Sequence, residues 1–146
     1  ISECAVIIDV FGFKVRKTSD KINICVHIIN GLPYETCDMM IQTAEYVASL
    51  APEFVKIHSL HVLKGTPLEK MYADGKFNML TMQEYVDVTV CQIERLPQKT
   101  VIARVTGDGD KNALVAPLWS IKKTCVINEI DKELYKRDSY QGKLSK

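Results

Sequence analysis

No apolar run in this chain approaches the roughly 18–20 residues of a membrane span. Charge of neither sign dominates: Lys plus Arg number 19 against 18 Asp plus Glu, a net of +1. The first absence leaves no candidate spanning helix, and the second removes the electrostatic case for a nucleic-acid or membrane-surface partner. The opening residues, ISECAVIIDVFGFKVRK, lack the basic start and small-residue cleavage site of a secretory signal, so the expected location is the cytoplasm. Five cysteines, Cys4, Cys25, Cys37, Cys91 and Cys125, are odd in number, scattered, and contain no Cys-x-x-Cys pair. That spacing argues against a disulfide framework and against a self-contained zinc or iron–sulfur site, so the cysteines read as small buried hydrophobes. There is no internal repeat and no low-complexity segment.

What is present fits one domain: 146 residues lie within the usual roughly 100–200 per domain and suffice for a core. INICVHII, from Ile22, is a continuous apolar run of the kind buried on both faces of a parallel sheet. Cys37, Met40, Ala44, Val47 and Ala48 recur as a helical stripe over 36–50, ended near Pro52, and Phe54 to Leu60 reads as a second strand. Strand, helix and strand in so short a span is a βαβ unit with parallel pairing. Thr66-Pro-Leu-Glu69 opens a short helix stopping at Asp74-Gly75, and Thr81-Met-Gln-Glu84 opens a longer one that runs to Pro97. VIARV at 101–105 is a third strand, and a last helix spans about Ser120 to Lys136. Residues 1–22 are hard to place, 23–135 form the α/β body, and the polar tail 136–146 is expected to fray.

The turn Asn30-Gly31-Leu32-Pro33 falls just past the first clear strand, followed by Glu35 at the start of a helix. Read locally, it is an ordinary βα loop in which Gly31 permits the backbone, Pro33 stiffens it and Glu35 complements the helix dipole. Read for function, strand ends of parallel α/β proteins are where ligands sit. His58, His61 and Glu35 invite a metal-hydrolase reading, with His27 in the preceding strand. Against it, His27 lies mid-strand, and His58 and His61 have opposite parity, which in an extended strand sends them to opposite faces. Each histidine is better explained as satisfied by a backbone or carboxylate partner. Asp108-Gly-Asp110 fails as a calcium loop because the twelfth position is Trp119 and not glutamate. Arg104 and Asp108, at the end of a strand, are candidates to hold a polar substrate. Trp119 is a packing residue.

HIINGLPYET, then KIHSLHVLKGTPLEKMY, TMQEYV, RVTGDGDKNALVAPLWS and NEIDKELYKRDSYQGK, in that order, resemble the C-terminal part of the radical S-adenosylmethionine proteins of the YhcC-like group. That group is similar to the Elongator-like and coproporphyrinogen-dehydrogenase-like enzymes, and the resemblance covers about residues 23–143. It implies an α/β fold: the C-terminal part of a partial (βα)6 TIM-like barrel, with parallel strands and flanking helices. It further implies that His27 to Glu35 stands for the Gly-x-Ile-x-Gly-x-x-Glu-like turn beside the adenine of S-adenosylmethionine, with histidine where the first glycine often stands. Ile29, Gly31 and Leu32 would then meet the adenine with Glu35 bracing the turn, and the next strand would add Leu60 and His61. No catalytic side chain and no metal ligand is assigned.

The family's Cys-x-x-x-Cys-x-x-Cys loop, which holds a 4Fe–4S cluster, is nowhere in the sequence. The expectation is therefore a fragment of a radical S-adenosylmethionine iron–sulfur enzyme: both cofactors belong to the parent protein, no cluster is expected here, and the chain is not competent alone. An unpaired edge of the first clear strand is expected to seek a second copy or the missing N-terminal half, unless residues 1–22 fold back as a substitute strand. A nucleic-acid partner rests on family analogy alone. The rivals are a non-catalytic α/β nucleotide-binding or assembly module and, third, the metal-dependent hydrolase.

Overall fold

The computed structural model describes residues 4–7, 23–107 and 109–145. In chain order they form β1 (Cys4–Ile7), β2 (Ile24–Asn30), α1 (Cys37–Leu50), β3 (Phe54–Ser59), β4 (Val62–Leu63), α2 (Pro67–Ala73), α3 (Met82–Arg95), β5 (Val101–Arg104), β6 (Leu114–Ala116), a 3-10 turn (Leu118–Ile121) and α4 (Lys123–Lys136). Four strands make a sheet in the order β1-β2-β3-β5, and every neighbouring pair is parallel. A parallel connection needs a crossover, which α1 supplies between β2 and β3, and α2 with α3 between β3 and β5.

The helix starts follow from local chemistry. Thr36, Thr66 and Thr81 each accept a hydrogen bond from a backbone N–H of the first turn, and Thr81 with Glu84 completes a reciprocal capping box. The core then assembles on one face of the sheet. Val26 and Ile28 of β2 and Val55 and Ile57 of β3 pack against Val47 of α1 and Tyr85, Val86, Val90 and Ile93 of α3, with Val126 and Ile130 of α4 in the same cluster. Each such side chain contributes about 1.5–3 kcal/mol by leaving water.

The strand at 24–30 departs from the two-sided burial expected of its apolar run. Ile29 is 41% exposed while its neighbours Ile28 and Asn30 are buried. The core helices take only one face, so burial alternates with the pleat. Cys4–Ile7 lies parallel to β2 from Ile24 to His27, so over that stretch the expected open edge of β2 is covered. The rest of the 1–22 segment, with residues 1–3 and 8–22, lies outside the described residues.

Two further differences concern short elements. β4 and β6 pair antiparallel, and with α2 they enclose a second small core of Val62, Phe77 and Ala116. These segments are too short to show a period in the sequence. The tail is anchored, contrary to the expectation of fraying. Gly142 N and Leu144 N donate to the carbonyls of Ile93 and Glu94, and Gln141 Nε2 donates to the carbonyls of Pro97 and Thr100. A polar sequence can dock by satisfying the open carbonyls at a helix end, and here it does so at the C-terminus of α3.

Candidate functional site

The site begins with the turn after β2. Gly31 adopts φ +85°, a conformation that favours glycine, and an added Cβ there would stand 3.1 Å from Leu80. Glu35 Oε2 accepts hydrogen bonds of 3.0 Å from both Gly31 N and Leu32 N, so the carboxylate ties off the turn it follows. Burial pushes the Glu35 carboxyl up, while the two backbone N–H groups pull it down. Below the turn, Asn30 is buried and exchanges two side-chain hydrogen bonds of 2.8 Å with Gln92, whose Nε2 also donates to Met40 O at 2.9 Å. The C-terminal end of β2 is thereby fixed to α3 and α1 at once.

Beside this turn, at the C-terminal ends of β2 and β3, lies a cleft of about 370 Å³ lined by His27, Ile29, His58, Ser59, Leu60, His61, Arg104 and Gly107. It opens on the sheet face that the core helices leave. His27 and Ile29 of β2 and His58 of β3 share that face because they alternate with the core positions Ile28 and Ile57. The His27 and His58 rings stack with centroids 5.4 Å apart and planes 23° from parallel. Leu60 N donates to Asn30 O, which holds Leu60 beside Ile29 at the rim.

His61 comes from the next connection and is pressed by the loop after β5. A Cβ added at Gly107 would stand 2.8 Å from His61 Cε1, and one at Gly109 would stand 2.5 Å from His61 Nδ1. Glycine at both positions lets the loop backbone approach this ring closely. The parity argument that separated His58 from His61 does not hold, because β3 ends at Ser59 and His61 lies beyond the extended segment. At one ring nitrogen each, His58 and His61 lack the partner expected of them. His58 Nε2 and His61 Nε2 are buried and have no hydrogen-bond partner. Burial, and then the positive charge of His27, Arg104, Lys56 and His61, hold His58 down to about 4. Burial and then Lys123 lower His61.

Of the residues singled out in the sequence, Ile29, Leu60, His61 and Arg104 meet in the cleft, while Gly31, Leu32 and Glu35 form the adjoining turn. Asp108 lies outside the described residues. His27 and His58, weighed as metal ligands or as histidines satisfied by a backbone or carboxylate partner, line the cleft. The signal for them was a histidine within each of two otherwise apolar strands, with Lys56 and His58 alternating in β3. The hydrolase grouping of His58, His61 and Glu35 is not assembled: Glu35 is spent on the turn, and among the described residues no three His, Cys, Asp or Glu side chains converge as a metal-binding group.

With this geometry in hand, comparison places the chain. Residues 52–136 match the Radical_SAM C-terminal domain family. YtqA of Bacillus subtilis is 47% identical over 130 residues, covering 89% of this chain and 40% of that protein. Protein YhcC of Escherichia coli is 28% identical over 113 residues, covering 77% of this chain and 37% of that protein. The archaeal Elp3 of Methanocaldococcus infernus superposes with a TM-score of 0.72 at 20% identity, over 82% of this chain and 28% of that one, which is a likeness of fold. The chain spans about two fifths of the length of the relatives it matches. By its family match, supported by the parallel α/β sheet with flanking helices, the chain belongs to the Radical_SAM C-terminal domain family.

Proposed function

We propose that these residues form the adenine-side part of the cofactor site of a radical S-adenosylmethionine enzyme, and that the iron–sulfur part of that site is not among them. The observation that carries the reading is the turn at the end of β2: Glu35 holds Gly31 and Leu32 in place beside an apolar rim of Ile29 and Leu60. A purine needs a flat apolar wall and a close backbone approach, and those residues fit both.

The cysteines do not fit a 4Fe–4S cluster. Cys25, Cys37, Cys91 and Cys125 sit on β2, α1, α3 and α4, and the sequence has no Cys-x-x-x-Cys-x-x-Cys loop. Radical chemistry in this family belongs to the cluster and the sulfonium cofactor together, so the chain is not competent alone. Its own residues bind, orient and enclose. In the same reading a second copy, or the N-terminal half of a longer protein, would add at an edge of the β1-β2-β3-β5 sheet.

The test is calorimetric titration of S-adenosylmethionine and of adenosine into the purified chain under anaerobic conditions, with iron and sulfide assayed on the same sample. The expected result is weak, saturable binding of both ligands, lost in Ile29→Asp, with no stoichiometric iron. Absence of any saturable binding would favour an assembly module. A stoichiometric cluster would overturn the division of the site.

A further inference from the structure

We propose that Cys37 and Cys91 are a redox pair, in which Cys91, beside Arg137, attacks a hydroperoxide and Cys37 then closes a disulfide that joins the first turn of α1 to α3.

The expectation that the cysteines are buried hydrophobes holds for Cys25 but not for Cys37 and Cys125, which are exposed, nor for Cys91, which is half-buried. Cys37 and Cys91 lie on helices that pack side by side. Gln92 Nε2 donates to Met40 O at 2.9 Å and Arg95 Nε to Glu45 Oε1 at 3.1 Å, so α1 and α3 run in the same direction. Cys37 precedes Met40 by one turn of α1, and Cys91 adjoins Gln92 on α3. The two thiols therefore stand within about one turn of each other along the helix axes. Their electrostatic coupling agrees: burial, then Cys91, Asp38 and Asp87, push the Cys37 thiol up. Cys91 weighs on Cys37 more than its own sequence neighbour Asp38 does.

Arg137 gives the two thiols different roles. Its Nη1 donates to Cys91 Sγ at 3.3 Å, while Nη2 donates to Asp87 Oδ1 at 2.9 Å and Nε to Glu133 Oε1 at 2.8 Å. A guanidinium clamped there by two carboxylates steadies the negative charge that sulfur carries as it attacks. Cys91 is the nucleophile, and the exposed Cys37 is the resolving thiol. Cys125 is out of reach, because Arg137 marks the end of α4 that meets Cys91 and Cys125 lies about 18 Å away along that helix.

In the first step Cys91 Sγ bonds to one oxygen of the hydroperoxide, the O–O bond breaks, and the other oxygen leaves with the thiol proton as an alcohol or water. Cys37 Sγ then attacks the Cys91 sulfenic sulfur. The S–S bond forms, the S–O bond breaks, and the hydroxyl leaves with the Cys37 proton as water. The two thiols have together given two electrons to the hydroperoxide. The bridge staples α1, which begins just past the Gly31 turn, to α3.

The test treats the purified, reduced full chain with an equimolar amount of hydrogen peroxide, blocks free thiols by alkylation and maps the peptides by mass spectrometry without reduction. A Cys37–Cys91 linked pair as the main product, reversed by dithiothreitol, supports the proposal. Cys37→Ser is expected to stop at a Cys91 sulfenic acid that dimedone traps, and Cys91→Ser to yield neither product. Arg137→Gln is expected to slow the link roughly tenfold, the loss of one charge-assisted hydrogen bond, and Arg137→Lys to recover part of the rate. Arg137 also ties α4 to α3, so the cysteine variants carry the test should Arg137→Gln unfold. A main product that links any other pair, within one chain or between two, overturns the proposal. So does oxidation of the parent that stops at the Cys91 sulfenic acid, or an unchanged rate in a folded Arg137→Gln.

Discussion

Asn30 and Gln92 hold each other through two buried hydrogen bonds of 2.8 Å, the last residue of a strand paired with the last turn of a helix 62 positions away. Gln92 Nε2 also donates to Met40 O, so one side chain joins β2, α1 and α3 just beneath the candidate site. Replacing Gln92 by Leu strands the Asn30 amide in the core, and a buried unsatisfied group costs about 1–3 kcal/mol. Gln92→Leu is expected to lower stability by about that amount in chemical denaturation. The double variant Asn30→Leu with Gln92→Leu is expected to lose less than the sum of the two single losses, because both stranded ends are then gone.

Glu35 makes a second prediction. Its Oε2 accepts from two successive backbone N–H groups at 3.0 Å each, and a charged acceptor strengthens both bonds. Glu35→Ala frees the turn at Gly31 while leaving the core untouched. The expected stability loss is about 1–2 kcal/mol, with a larger proportional loss of adenosine affinity than Thr36→Ala produces. Equal effects of the two variants on affinity would show that the turn serves the helix and not a ligand.

Gly107 and Gly109 are expected to respond in the cleft rather than in global stability. An alanine Cβ at 109 would stand 2.5 Å from His61 Nδ1, and one at 107 would stand 2.8 Å from Cε1. An imidazole can rotate away more cheaply than a strand can shift. Gly109→Ala is expected to move the His61 imidazole resonances strongly while changing the denaturation midpoint little. A large loss of stability with His61 unmoved would mean that the loop backbone is the rigid partner.

These relationships were unevenly legible in the sequence. The βαβ unit could be read because Val26, Ile28, Val55 and Ile57 alternate in apolar strands, while Met40, Ala44 and Val47 keep a helical spacing between them. The threonine caps could be read because each works within a few residues. The β4–β6 pair could not, since it joins segments about 50 residues apart with two or three residues each. The cleft was half visible. Ile29, Leu60, His61 and Arg104 were found through strand ends and family resemblance, whereas the role of His27 and His58 depends on a cross-strand register that no local pattern states. Parity failed at His61 because the rule applies only while the backbone stays extended, and β3 stops two residues earlier.

The last prediction concerns pH and follows from His58. In the folded chain burial, and then the surrounding positive charge, hold it down to about 4, against 6.5 for an unperturbed histidine. The unfolded chain therefore takes up a proton that the folded chain refuses, and unfolding gains from acidification between those values. Stability should be fully present above pH 6.5 and should fall as the pH drops toward 4. His61, lowered by burial and then by Lys123, acts in the same direction. Glu84, lowered chiefly by the hydrogen bond from Thr81 N, makes its contribution below its ordinary value of 4.5, and Glu35, pushed up chiefly by burial, acts in the opposite direction at the foot of the window, so its upper part reports the histidines. Denaturation midpoints measured across it are expected to decline with falling pH in the parent chain and to decline less in His58→Asn. A parent profile flat down to pH 4.5 would mean that solvent reaches His58 freely in the folded chain.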